Sequence, residues 1–298
     1  MWRFHAMGTD VQVSAPALAT EDEQRLAADV ARLFTRTEQR FSRFLADSEL
    51  SALNRATAPL AVSPEMCEVL RAARAHVAAT DGLFDPAVGG ALVAAGYDRS
   101  FAPGQLDRDT ARASVRRARF AEVEIDDATG TVRRPAHVLV DLGGFLKGRT
   151  VDRAARLAPE LAMIDAGGDA VVRGAGSDGR GWLVDIESPF DVHATVATLR
   201  LRDRAVATSA ANRRWWRAGG ELAHHLIDPR TGAPARSDLA QVTVVAATCE
   251  QADVVAKVGF IVGADAAAGR IVAAGVAGVL VTVAGDVRVV GELEVARA

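Results

Sequence analysis

Apolar and polar residues alternate from Thr9 to Ser14, with Val11 and Val13 set against Asp10 and Gln12. This period of two predicts a half-buried strand, entered from the Met7-Gly8-Thr9 turn. The period then changes: Leu26, Val30, Leu33, Phe34, Phe41 and Phe44 recur at helical spacing and predict a helix over Glu21–Phe44. Asp47–Asn54 reads as a capped turn and short helix. Ser63-Pro64-Glu65-Met66 reads as a helix start, with a serine cap and proline in the first turn. That helix carries Val69, Leu70, Ala73 and Val77 inward and ends near Thr80-Asp81-Gly82. Gly82–Gly90 is a glycine-punctuated apolar loop, and Asp107–Val115 a short polar helix. Glu122–Ile125 and Val132–Arg134 are strand-like, joined by an Asp-Ala-Thr-Gly turn.

In the second half, Val138–Leu142 has the β-branched character of a buried strand. It bends at Gly143-Gly144 and continues as a helix with Val151, Ala154, Ala155 and Ala158 on one face. Met163–Val172 is a strand interrupted by Gly167-Gly168. Trp182–Ile186, Thr195–Leu201, Ala205–Ser209 and Val242–Val245 are further strands, and His224–Gly232 is a strand running into an Asp-Pro turn. Glu250–Val262 is a helix, and Gly278–Val283 with Val287–Val290 forms a closing hairpin around Gly285-Asp286. Strands and helices interleave without a regular βαβα rhythm, and there is no linker-like tract or fixed-period repeat. The expected fold class is mixed α/β (α+β), as one compact domain over residues 1–298.

Composition narrows the partners. The net charge of −3 carries no basic excess, which argues against nucleic acid. The two cysteines, Cys67 and Cys249, lie far apart without CxxC or Cys/His spacing, so a disulfide framework is excluded and structural zinc is not suggested. The N-terminus lacks a signal-type apolar core, and the Ile271–Val283 tail is too short to span a bilayer. A protein without a membrane segment, in the cytoplasm, is the expectation.

Candidate chemistry gathers in a few places. A strand ending in Asp141, the Gly143-Gly144 bend and a helix start carrying Lys147 suit an anion cradle, and equally suit an ordinary strand–turn–helix junction. GxGxxG after the first strand, GxxxxGKS/T, HExxH and GxSxG are all absent. His225 beside Asp228 suits a general base with an orienting carboxylate, or a strand histidine satisfied by backbone. Asp253, read as opening a helix, suits either a favourable charge at the positive helix end or a metal ligand.

Taken in order, the blocks Ala6-Met7-Gly8-Thr9, Phe41-Ser42-Arg43-Phe44, Ser48–Asn54, Asp81–Pro86, Val140–Gly144 with Lys147-Gly148 and Val151-Asp152, Ala166–Asp169, Ala207-Thr208-Ser209, His225–Gly232 and Ala252-Asp253 resemble the ApbE family, the FAD:protein FMN transferases. The resemblance implies one FAD in a cleft, Mg²⁺ at its pyrophosphate, and transfer of FMN to a Ser/Thr hydroxyl of an acceptor flavoprotein with release of AMP. By position, Met7, Phe44, Leu83, Phe84, Asp85, Asp141, Lys147 and His225 match the family's FAD contacts. Gly144 and Asp253 match its metal ligands, and His225 with Asp228 its expected catalytic segment.

Two positions depart from the family pattern. Lys257 stands one helical turn after Asp253, where the family usually has Thr or Ser, and is expected to set an ammonium beside that carboxylate and weaken or replace the metal. Ala210 stands where a glycine is usual, either reshaping acceptor entry or lying in a tolerant loop. A catalytically weak FAD-binding protein and an FAD pyrophosphatase are the alternatives to a transferase.

Overall fold

The computed structural model describes residues 1–100, 107–108, 116–218 and 221–297. Contacts group the chain into two compact units, each assembled from separated stretches. The first comprises Met1–Arg36, Phe145–Ala210 and Ser237–Ala298, the second Thr37–Gly144 and Ala211–Arg236.

An eight-stranded antiparallel sheet carries the first unit. Its spatial order is Trp2–Ala6, Thr9–Ser14, Ala162–Ala166, Asp169–Arg173, Arg204–Ala210, Leu239–Ala246, Ala277–Thr282 and Val287–Val290. Successive side chains alternate faces, so Ala205 and Val206 enter different cores. On the Ala205 face, Val30 and Phe34 of helix Thr20–Phe41 and Val151 and Ala154 of helix Leu146–Ala155 close over Val11, Val13 and Ile164. On the Val206 face, a small sheet of Val295–Arg297, Thr195–Leu201 and Trp182–Glu187 lays Ile186, Leu199 and Leu201 against Val172, Val245 and Val279.

Two helices of this unit approach at backbone distance. A Cβ at Gly148 would stand 2.6 Å from the Cys249 carbonyl oxygen, so helices Leu146–Ala155 and Cys249–Val262 meet there only because residue 148 has none. One turn on, the Asp152 carboxylate accepts N–H bonds from Cys249 (2.8 Å) and Glu250 (2.9 Å), and Thr248 Oγ1 accepts from Gln251 N, so the second helix starts capped from two sides. Burial raises the Asp152 pKa, against the pull of those N–H groups. This junction fixes Lys147 and Asp253, which flank it in sequence.

In the second unit, helices Glu49–Arg55 and Pro64–Ala79 begin as their sequences require. Ser48 Oγ accepts from Ser51 N at 3.0 Å, and Ser63 Oγ from Met66 N at 3.1 Å. Positive φ at Asp81 and Gly82 ends the latter. Short sheets complete it: Leu60–Ala61, Thr131–Arg133 and Glu124–Asp126; Glu221–His224, Trp215–Ala218 and Asp107–Arg108; and the pair Ile227–Asp228 with Ala233–Pro234.

Several expectations need correction or completion. Val138–Leu142 is not a sheet strand; Leu139 makes only an isolated bridge to Val88. Its backbone groups are satisfied elsewhere: the Asn54 amide bonds both Val140 N (2.9 Å) and Val140 O (2.8 Å), Arg134 Nη1 donates to Val138 O, Gly89 N to Leu139 O, and Asp141 N to Pro86 O. Met163–Val172 is a hairpin of two strands, because Gly167 and Gly168 at φ 65° and 91° form a two-residue turn. Strand Trp2–Ala6 and helix Ala264–Ala273 add to the predicted elements. The helix expected over Asp107–Val115 lies outside the described residues except for Asp107–Arg108, which is strand. Among the described residues no helix is long and apolar enough to cross a membrane.

Candidate functional site

The first unit holds an alternating cluster of buried and half-buried charges. Lys147 leaves the first turn of helix Leu146–Ala155, and its Nζ lies 2.8 Å from Asp169 Oδ2 and 3.0 Å from Ala166 O. The same hairpin presents Asp165, whose Oδ2 accepts from Gly168 N at 3.2 Å, while Asp169 Oδ1 accepts from Thr208 N at 3.3 Å. On helix Cys249–Val262, Lys257 Nζ donates to Asp253 Oδ1 at 3.1 Å; the two side chains are only 17% and 8% exposed. Burial raises the pKa of both Asp165 and Asp253. For Asp165 the Lys147 ammonium opposes this most strongly, and for Asp253 the Lys257 ammonium does, with Asp169 adding to the rise at both.

The expected ammonium beside Asp253 is therefore present. Asp253 lies a turn inside its helix rather than at the opening residue, so the carboxylate is held by Lys257 and not chiefly by the helix end. Cys249 is a buried free thiol, its pKa pushed up by burial and the surrounding carboxylates, and Cys67 is likewise buried and free. Met7 forms the turn between the first two strands at φ 52°, half-buried against the adjoining core. Ala210 sits in strand Arg204–Ala210 opposite Gln241 and is 1% exposed, so the loop expected there is extended strand and asks for no glycine.

The second unit holds an aromatic and guanidinium group. Arg43 pairs through Nε with Asp141 Oδ2, donates from Nη2 to Tyr97 O at 2.6 Å, and lies 4.1 Å from the Phe44 ring centroid and 4.9 Å from that of Tyr97. Phe44 meets Tyr97 edge-on at 5.3 Å, and Tyr97 stacks on Trp216 at 5.4 Å. Asp141 also accepts from Gly143 N at 2.7 Å, which ties the bend before Gly144 to the Arg43 side chain. Gly143 and Gly144 are absent from the positive-φ residues, so the bend arises from this tether rather than from left-handed backbone.

Trp216 anchors the group, fully buried with its Nε1–H on Ala95 O at 2.6 Å. Trp216→Ala is expected to lower stability by about 3–5 kcal/mol, read as a fall in the urea midpoint. Trp216→Phe, which keeps a ring but loses the N–H bond, is expected to fall between the two; equal midpoints for wild type and Trp216→Ala would refute the anchor.

Leu83, Phe84 and Asp85 are all nearly buried. Phe84 packs edge-on against His76, and the Asp85 carboxylate accepts from Ala87 N (2.8 Å) and Phe120 N (3.0 Å), its pKa raised by burial. These three therefore shape the loop they sit in. His225 Nδ1 lies 3.3 Å from Arg214 O. Asp228 accepts the Arg230 fork, at 2.9 Å from Nη2 and 3.0 Å from Nε, together with Arg230 N at 2.8 Å. Its neighbour His224 is the histidine satisfied by backbone, between Ala235 O and Leu226 N, and burial lowers its pKa. Arg43, Tyr97, Asp165 and Trp216 are not among the residues that the sequence marks as candidates. Arg43 lies inside a recognisable block and Asp165 adjoins one, whereas nothing local marks Tyr97 or Trp216.

The donor set does not suit a divalent cation. Among the described residues no three or more His, Cys, Asp or Glu side chains gather so as to hold a metal ion. One oxygen of Asp253 already carries an ammonium.

Comparison with known proteins gives a consistent result. The ApbE family model matches residues 7–269. The FAD:protein FMN transferase of Salmonella typhimurium is 29% identical over 85% of this chain and 73% of its own length, and that of Vibrio cholerae 30% identical over 83% and 76%. Among solved structures, the ApbE protein of Thermotoga maritima superimposes with a TM-score of 0.85 at 28% identity, covering 97% of this chain and 96% of that one. The flavin transferase ApbE of Vibrio cholerae shares the fold at a TM-score of 0.77 and 24% identity, with the same coverage.

Proposed function

The chain belongs to the ApbE family, and we propose that it transfers the FMN half of FAD to a serine or threonine hydroxyl of an acceptor flavoprotein, releasing AMP. The acceptor oxygen forms a bond to the FMN phosphorus, the pyrophosphate P–O bond to AMP breaks, and the hydroxyl proton passes to a base. What carries this proposal is the likeness to named FAD:protein FMN transferases along most of the chain. The chemistry of the two side-chain groups supports it.

Phosphoryl transfer needs positioning and neutralisation of phosphate charge more than covalent help from the protein. Lys147 supplies a point charge held in place by Asp169. Phe44, set by Arg43 and Tyr97, offers a ring face for a flavin or adenine ring, and Met7 a soft apolar contact. Asp141 steadies the bend at Gly144 through Arg43, while Leu83, Phe84 and Asp85 hold their own loop in shape. His225 is assigned as the base. An Nδ1–H donated to Arg214 O leaves Nε2 as the basic nitrogen. Asp228 contributes by holding Arg230 and the turn after it. Mg²⁺, which the resemblance implies at Gly144 and Asp253, has no step here, since Asp253 is engaged by Lys257.

Incubating the protein with FAD and an acceptor that carries a Ser/Thr target sequence is expected to add one FMN mass to the acceptor and to release AMP stoichiometrically. AMP and free FMN without a modified acceptor would make the protein a pyrophosphatase. FAD retained intact across several acceptors would leave a flavin-binding protein.

A further inference from the structure

We infer that Lys257 is a built-in cation of the site: its ammonium stands where a divalent ion would have to bind Asp253, and the protein works with FAD without a divalent metal. This rests on the proposed FAD chemistry. Asp253 is 8% exposed and Lys257 17%, and they lie one turn apart on one helix with Nζ 3.1 Å from Oδ1. Withdrawing an ammonium this far from water is unfavourable unless a partner compensates it, so the pair is mutually committed. The cluster repeats the device at Lys147 and Asp169. A divalent ion reaching Asp253 must displace or crowd the Lys257 ammonium, and the repulsion acts in a site with little water to screen it.

The substitution also changes what Asp253 offers a ligand. A bare buried carboxylate repels phosphate and recruits a cation from solution. The ion pair is neutral as a unit, and an ammonium has three N–H donors, one of which goes to Asp253 Oδ1. The positive charge that a metal-dependent site takes from solution is here covalent, present in the apo protein and independent of metal supply.

The test uses the full chain freed of metal with a chelator, and two probes: Mn²⁺ alone, followed as the free ion by electron paramagnetic resonance, and FAD, followed by flavin fluorescence. Wild type is expected to take up no Mn²⁺ at micromolar concentrations and to bind FAD equally well with EDTA or Mg²⁺. Lys257→Thr is expected to acquire a Mn²⁺ site, and its FAD affinity should become Mg²⁺-dependent by at least about tenfold. Lys257→Arg, which keeps the cation, should behave as wild type. Stoichiometric Mn²⁺ binding by wild type at micromolar concentration would overturn the inference, and this wild-type titration decides it even if a variant folds poorly. If FAD binds in neither buffer, the transferase proposal fails separately, while the Mn²⁺ titration still reports on Lys257.

Discussion

Lys147→Met is expected to cut FMN transfer by at least about 100-fold, the scale seen when one fixed donor to developing charge is removed. It is also expected to lower stability by about 2–4 kcal/mol. The stability loss follows from Asp169, whose side chain is 3% exposed and would be left without its ammonium, within electrostatic reach of Asp165 and Asp253. Partial exposure of Lys147, 21%, keeps the figure below that of a wholly buried pair. Methionine preserves the stem, so packing in the first turn is little changed. The two effects are read separately: urea midpoints report the stability, and the mass assay, run where circular dichroism shows the variant folded, reports the transfer. Lys147→Arg should recover most of the stability and only part of the rate, since a guanidinium does not reproduce the point contact with both Asp169 Oδ2 and Ala166 O. A folded Lys147→Met with wild-type transfer would remove Lys147 from the phosphate site.

A feature of this chain is legible in its sequence when the contact that decides it is local. The Thr9–Ser14 strand, the Ser63 cap and the ammonium of Lys257 beside Asp253 follow from neighbours within a turn or a pleat, and each stands as the sequence predicts. The mixed α/β class follows from the same local signals. Val138–Leu142 misleads because its apolar, β-branched run states burial but not the partner. The partner is Asn54, 86 positions away, whose amide imitates a neighbouring strand. The helix Ala264–Ala273 is nearly uniform in alanine and small apolar residues, so no contrast between faces announces it.

The candidate site divides in the same way. Lys147, Asp253 and Lys257 sit in blocks that sequence alone can mark. The stack of Tyr97 on Trp216 under Phe44 joins stretches more than a hundred residues apart, and no spacing rule foretells it. Asp228 shows the opposite failure. Its proximity to His225 in sequence suggests an orienting carboxylate, but a two-residue reach brings Arg230 onto both its oxygens, and the bidentate fork is the stronger bond.

His225 and His224 give the sharpest functional contrast, because adjacent residues of the same type differ in surroundings. His224 is half-buried like His225, but it is bonded at both ring nitrogens to backbone and its pKa is lowered by desolvation; it belongs to the fold. His225 is half-buried with Nδ1 toward Arg214 O, the arrangement that keeps Nε2 basic. His225→Ala is expected to lower the transfer rate by about 10²–10⁴, with little change in FAD affinity or urea midpoint. The acid limb of the pH–rate profile, where the imidazole takes up a proton, should vanish with it, and the residual rate should rise with hydroxide. His224→Ala should do the reverse, losing stability while the folded fraction keeps its pH profile. If His225→Ala transfers FMN at a near-normal rate, or if the acid limb survives in it and disappears in His224→Ala, the base is not His225.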